Sequence, residues 1–215
     1  MKQMNITKVT IVRHGETEWN RLGKHQGQLD SPLTQVGINQ AKAVAVNLKG
    51  EPFDFILSSD LMRARHTAEI IAQELHLEVR LDPRLRERQL GVAQGLTRAE
   101  LSERYPEVYQ KYFSDLDFKI PGGESVRECD CRVGAWMSAL ALEYPEHRLL
   151  VVTHGLILSY ILKRVLGLPL ASHRKFSLFN ASINRFSIRD GEWFLDSWGE
   201  LAKNLGHLDE LRLDE

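Results

Sequence analysis

The chain has 215 residues, of which 43% are hydrophobic and 27% charged, and a formal net charge of −1. A chain of this length and balance is expected to fold around one core as a single domain over 1–215, which excludes a disordered or membrane-embedded polypeptide. The near-zero charge excludes a global field directed at nucleic acid or an anionic membrane surface.

Taken in chain order, Val9–Val12 is an apolar β-branched run and reads as a central strand. Residues 15–33, with Gly23, Gly27, Asp30 and Pro32, read as a functional loop. Thr34 is placed to cap a helix that runs through Leu48 and stops at Gly50. Phe53–Leu57 reads as a second strand. Ser58-Ser59-Asp60 reads as a capping cluster for a helix from Leu61 to about Leu75. Leu77–Leu81 alternates and reads as a third strand, followed by an irregular loop over 82–96. Thr97–Tyr105 and Glu107–Leu116 read as two short helices bearing Tyr105, Tyr109, Tyr112 and Phe113. Pro121-Gly-Gly123 breaks the chain before a long helix over Glu124–Tyr144. Leu149–Thr153 is another buried strand, with a helix over Leu156–Leu166. Phe176–Phe179, Ser182–Arg189 and Trp193–Ser197 read as closing strands, with Arg189-Asp-Gly191 as a hairpin turn. The polar tail from residue 199, with Asp209, Glu210, Asp214 and Glu215, is expected to be loosely held.

Strands that alternate with helices predict an α/β fold with a mostly parallel sheet and helices on both faces. Residues 97–123 leave this rhythm and are expected to cap the strand ends. Cys129 and Cys131 are too close on one helix to pair with each other and read as reduced thiols. Lys2 and Lys8 precede no signal-peptide core, and no apolar run approaches a membrane span, so a cytoplasmic location is expected.

Two strands end in a histidine followed by glycine, His14-Gly15 and His154-Gly155. In open α/β sheets, ligands bind beyond the carboxyl ends of the strands. Each histidine alone reads more simply as a hydrogen-bonded strand-end residue. Arg13 alters that balance, because it has no acidic neighbour on the strand and a phosphate matches its guanidinium fork. Asn20 could add a neutral donor. Arg63 falls in the first turn of its helix, where the dipole disfavours a cation and where an anion would be favoured. Arg65 reads as solvated. Glu87, among Arg86 and Arg88, is either part of a surface ion-pair cluster or a carboxyl held to move a proton. No third metal ligand accompanies the histidines, so a metal site ranks well below an anion site. His25, His66, His76, His147, His173 and His207 read as surface or locally packed.

These segments in order are Arg13-His-Gly-Glu-Thr17 with Asn20, Ser58-Ser59 through Arg63-Ala64 and Thr67-Ala68, and Leu85-Arg-Glu87. They continue with Pro121-Gly-Gly-Glu-Ser125, Val151-Val-Thr-His154-Gly155 and Asn180-Ala-Ser-Ile183. The set resembles the histidine phosphatase superfamily, which includes the cofactor-dependent phosphoglycerate mutases, from about residue 8 to about 190. The resemblance implies a three-layer α/β sandwich with a small inserted helical cap. It implies His14 as nucleophile, and Arg13, Arg63 and a cationic His154 as the phosphate pocket, with Asn20 and Gly155 beside them. It implies Glu87 as proton donor, and neither metal nor cofactor. One departure is Gln94, where many relatives carry a carboxylate.

The resemblance further implies a phosphomonoesterase that works through a phosphohistidine on a small phosphorylated metabolite, as a monomer or homodimer, with no nucleic acid or membrane partner. It is similar to bacterial broad-specificity and α-ribazole phosphatases. Mutases of the family carry a longer insertion with extra arginines after the acid, whereas the segment from Glu87 to Pro121 here is short and rich in tyrosine. A bisphosphoglycerate-dependent mutase remains the alternative within the family. A non-catalytic binding protein is the alternative of another class, and the presence of all five central residues argues against it.

Overall fold

The computed structural model describes residues 5–202 apart from Phe113; that residue, His207 and the tail acids Asp209, Glu210, Asp214 and Glu215 lie outside the described residues. The strands are β1 (Ile6–Arg13), β2 (Phe55–Ser58), β3 (Val79–Leu81), β4 (Arg148–Thr153), β5 (Ile183–Arg189) and β6 (Glu192–Glu200). The helices are α1 (Glu18–Arg21), α2 (Gln35–Leu48), α3 (Met62–Leu75), α4 (Arg98–Arg104), α5 (Pro106–Tyr112), α6 (Val126–Glu143) and α7 (Gly155–Val165). The strands form one sheet in the order β3-β2-β4-β1-β5-β6. The first four run parallel, and β5 and β6 add an antiparallel hairpin at one edge.

The strand sequences explain the layers. Side chains alternate across a strand, and here both faces are apolar, as a doubly covered parallel sheet requires. Val9 and Ile11 of β1, Phe55 and Leu57 of β2, and Leu149 and Val151 of β4 pack against Cys129, Trp136 and Leu140 of α6 and Ile157 and Ile161 of α7. Their neighbours Val12, Ile56, Leu150 and Val152 face the other way, against Val44 and Leu48 of α2 and Ala64, Ala68 and Ile71 of α3. The result is a helix–sheet–helix sandwich. A smaller apolar cluster of Leu90, Leu101 and Ile120, flanked by Val108, Tyr109 and Tyr112, holds α4 and α5 together. Among the described residues, no helix is long and apolar enough to cross a membrane.

Local chemistry sets most element ends. Thr34 caps α2 by accepting from the Gly37 amide at 3.0 Å. Asp190 and Gly191, with φ of 50° and 87°, make the two-residue turn between β5 and β6, the backbone that a tight hairpin demands. Cys129 and Cys131 are free thiols.

Three expectations are corrected. Phe176–Phe179 is not a strand, because its carbonyls serve side chains instead of a ladder. Ser177 O accepts from Trp198 Nε1 at 3.0 Å, and Leu178 O accepts from Arg13 Nη1. The second short helix stops at Tyr112 rather than Leu116, where Asp115 Oδ1 accepts from the amides of Asp117 and Phe118 at 2.9 and 3.2 Å and forms a turn. The start of α3 is not capped by its own serines and aspartate: Asp30, from the loop after β1, accepts from the amides of Met62 and Arg63 at 2.8 and 3.4 Å.

Candidate active site

The parallel pairing of β1 with β4 sets Arg13 opposite Thr153, so the next residue of each strand is a histidine at the carboxyl edge of the sheet. The His14 amide donates to Thr153 O at 3.0 Å and ties the two strand ends together. The imidazole centroids of His14 and His154 are 5.3 Å apart, and both rings are buried.

His14 Nδ1 lies 2.8 Å from Gly15 O. A carbonyl can only accept, so Nδ1 carries the proton and Nε2 keeps its lone pair. Burial, then the charges of Arg63 and Arg13, hold the His14 pKa well below the usual histidine value, against the smaller effect of the Gly15 bond. The ring is therefore neutral near pH 7. Gly15 is required by closeness rather than by φ: a Cβ there would lie 2.5 Å from Gly37 O in α2. Its amide donates to Thr67 Oγ1 at 3.1 Å, and Asn180 Nδ2 donates to His14 O at 3.0 Å.

His154 is the residue before α7 and is bound through its other nitrogen, with Nε2 2.8 Å from Ser59 Oγ. The Ser59 oxygen accepts from the Leu61 amide at 3.3 Å, and among the described residues its hydroxyl has no acceptor other than His154 Nε2, which directs its proton there. That leaves the ring proton on Nδ1, which is buried and has no partner among the described residues. Burial, Arg63, His14 and Arg13 lower the His154 pKa far below the usual value. With no anion bound, the ring is a neutral N–H donor; the cationic His154 that the resemblance implies belongs to the phosphate-bound pocket.

Arg63 is 1% exposed. Its Nη1 donates to Leu29 O at 2.9 Å and Asp30 Oδ1 at 3.1 Å, and its Nη2 donates to Gly27 O at 2.6 Å. Asp30 also takes the first amides of α3, which accounts for a cation in that first turn. The Nε of Arg63 is buried and has no partner among the described residues. Arg13 is half-buried and donates to Leu178 O. Its guanidinium packs against Gly155, where a Cβ would lie 3.4 Å from Arg13 Nε. Asn20 Oδ1 is occupied by the amide and hydroxyl of Thr17 at 3.1 and 3.0 Å, where it caps α1, so its Nδ2 is the group it could offer an anion.

Glu87 is 9% exposed and is not part of a surface ion-pair cluster. Its two oxygens accept from the amides of Arg88 at 2.8 Å and Leu156 at 3.1 Å, the second at the start of α7. Burial raises its pKa above the usual glutamate value, over the opposing effects of these two amides and of Arg63 and Arg13. Arg86, the residue before Glu87, instead pairs with Asp60 on the exposed side. Gln94 Oε1 accepts from the Gln28 amide at 2.7 Å, while Gln28 Nε2 donates to Glu87 O at 3.0 Å. Gln94 therefore binds the loop that cages Arg63 to the loop that carries Glu87.

The sequence-derived set His14, Arg13, Arg63, Glu87, His154 and Gly155 thus converges at the ends of β1, β2 and β4, with Asn20 on the adjoining loop. Ser59, Asp30, Gln28 and Gly37 were not singled out for the roles they play. No group of three His, Cys, Asp or Glu side chains suited to a metal occurs among the described residues. Two buried donors beside a neutral imidazole, with a buried carboxyl whose pKa is raised, suit an anion undergoing group transfer.

Comparisons with known proteins identify the family. Residues 9–201 match the profile of the histidine phosphatase superfamily (branch 1). A Proteus mirabilis protein named "Probable phosphoglycerate mutase GpmB" is 43% identical over 214 residues, covering 98% of this chain and 99% of that one. The α-ribazole phosphatase from Shigella flexneri superposes with a TM-score of 0.82 at 28% identity, over 90% of this chain and 96% of that one. A mycobacterial glucosyl-3-phosphoglycerate phosphatase complexed with VO3 gives a TM-score of 0.78 at 32% identity, over 89% and 98%. The chain belongs to branch 1 of the histidine phosphatase superfamily.

Proposed function

We propose that the protein is a metal-independent phosphomonoesterase that forms a phosphohistidine on His14 and acts on a small phosphorylated metabolite. The observation that carries this reading is the pair of unsatisfied buried donors, Arg63 Nε and His154 Nδ1, beside the lone pair of His14 Nε2. A phosphoryl group bound there would satisfy both donors, and its oxygens would also face Arg13.

In the first step, the Nε2 lone pair attacks phosphorus and the bond to the ester oxygen breaks. The leaving oxygen takes the proton of Glu87. In the second step, water attacks phosphorus as the Glu87 carboxylate takes a proton from that water, the N–P bond breaks, and phosphate leaves. Covalent catalysis divides one hard displacement into two easier ones. Arg13, Arg63 and His154 stabilise the equatorial oxygens.

The runner-up is a mutase. It is favoured by the names of relatives such as the one from Proteus mirabilis. Hydrolysis is favoured by the names of the structural neighbours and by the small cap, whose helices α4 and α5 have seven residues each. So little covering chain admits water to the phosphohistidine. The test is incubation with 3-phosphoglycerate and catalytic bisphosphoglycerate, alongside an aryl phosphate. Hydrolysis of the aryl ester, with phosphate released from 3-phosphoglycerate faster than 2-phosphoglycerate forms, supports the phosphatase. The reverse ratio reassigns the protein as a mutase.

A further inference from the structure

Glu87 lies on a stretch that has left its short helical turn at Leu85 and has no ladder to occupy its carbonyls. Buried backbone carbonyls need donors, and one side chain supplies several of them. Arg132, on α6, donates from Nη1 to Arg84 O and Arg86 O, both at 2.8 Å, and from Nη2 to Glu87 O at 3.4 Å. The same guanidinium forks onto Glu124, Nε to Oε1 at 3.1 Å and Nη2 to Oε2 at 2.9 Å. Glu124 completes the frame. Its Oε2 accepts from the Gln89 amide at 3.0 Å, its own amide donates to Gln89 O at 2.8 Å, and its carbonyl accepts from Arg88 Nε at 3.0 Å. Arg132 and Glu124 are each about a quarter exposed or less, and among the described residues neither side chain is hydrogen-bonded to His14, His154 or Arg63.

We propose that Arg132, braced by Glu124, is a positioning residue that fixes the backbone of Glu87 so that its carboxyl meets the leaving oxygen. The inference rests on Glu87 as the proton donor. Planarity matters: a lysine places one point charge and cannot span three carbonyls and a carboxylate in one plane. Loss of the fork frees the Glu87 backbone, while the donors that grip the phosphoryl group remain in place.

A misplaced acid costs most where the leaving group most needs a proton. An alkyl phosphate expels a strongly basic alkoxide, whereas 2,4-dinitrophenyl phosphate expels a stable phenolate that needs no proton. The experiment measures kcat/KM for both esters, which reports phosphoryl transfer to His14 and not the later attack of water, together with inhibition by inorganic phosphate, in Arg132→Met, Arg132→Lys and Glu124→Gln, with Glu87→Gln as reference. Glu87→Gln is expected to lose on the order of 10²-fold or more on the alkyl ester, with little change on the dinitrophenyl ester. Arg132→Met should reproduce that selective loss with phosphate inhibition unchanged, Arg132→Lys should not restore it, and Glu124→Gln should show a smaller loss of the same kind. Equal loss on both esters in the Arg132 variants, beside a selective loss in Glu87→Gln, overturns the positioning role. An unselective Glu87→Gln instead overturns the proton-donor reading on which it rests. If Arg132→Met does not fold, Glu124→Gln decides, since it keeps the shape and removes the charged fork partner.

Discussion

His14 and His154 are held by opposite ring nitrogens. His14 Nδ1 donates to Gly15 O at 2.8 Å, and His154 Nε2 accepts from the Ser59 hydroxyl at 2.8 Å. Two rings that look equivalent in sequence are therefore unlike reagents. One exposes a lone pair and the other an N–H.

That difference predicts where phosphorus is trapped. Brief exposure to labelled substrate, with an alkaline quench because phosphohistidine is acid-labile, should place label on His14, and His14→Ala should abolish it. His154→Ala should still accumulate some label while kcat falls on the order of 10²–10³-fold, as for loss of one transition-state donor. Label on His154 would reverse the assignment.

The same burial makes stability depend on pH. Both histidines have folded-state pKa values below the unfolded value, through burial first and neighbouring cations second. Below pH ~6.5 the unfolded chain binds protons that the folded one refuses, so stability is full above that pH and falls as the pH drops. Each buried histidine contributes a slope of about 1.4 kcal/mol per pH unit within its window. Urea unfolding between pH 7.5 and 5.5 should show a shallower slope in His154→Gln than in the parent chain. An unchanged slope would contradict the neutral, buried ring.

Activity should survive excess chelator. The pocket is built from Arg13, Arg63 and two histidines, and the described residues hold no cluster of metal-binding side chains. Loss of aryl phosphatase activity in chelator, restored only by magnesium, manganese or zinc, would rule out the mechanism given above.

Gln94 should prove to be an acceptor and not a catalyst. Gln94→Glu keeps an oxygen for the Gln28 amide and should change kcat by less than about threefold, under 1 kcal/mol. Gln94→Leu leaves that amide without its partner and should cost about 1–3 kcal/mol in urea unfolding. A large gain or loss of kcat in Gln94→Glu would show that charge at this position enters the chemistry.

The parts of the molecule that were legible in sequence were those with short-range causes. The doubly apolar strands announced a covered sheet, Thr34 announced the start of α2, and each histidine stood directly after its strand. Apart from the local turn at Asp115, the misreadings have long-range causes. Asp30 caps a helix 32 residues downstream, and Ser59 meets a histidine 95 residues away. Neither is visible until the loops are packed. Phe176–Phe179 has strand-like composition, but its carbonyls are claimed by Arg13 and Trp198. The environment of Glu87, ambiguous between ion-pair cluster and buried acid, is decided by the Leu156 amide and by burial, which the flanking arginines do not reveal.

The close approach of the nucleophile loop to α2 has a consequence for how this protein can vary. A Cβ at Gly15 would lie 2.5 Å from Gly37 O, and one at Gly37 would lie 2.1 Å from Glu16 O. Each glycine is blocked by main chain rather than by a side chain, so no second substitution can make room. A survey of tolerated amino acids would rank Gly37 with the reacting groups, although it meets only the polypeptide that carries them. Intolerance there would record a shortage of space, and a residue could pass for chemically essential while taking no part in the reaction.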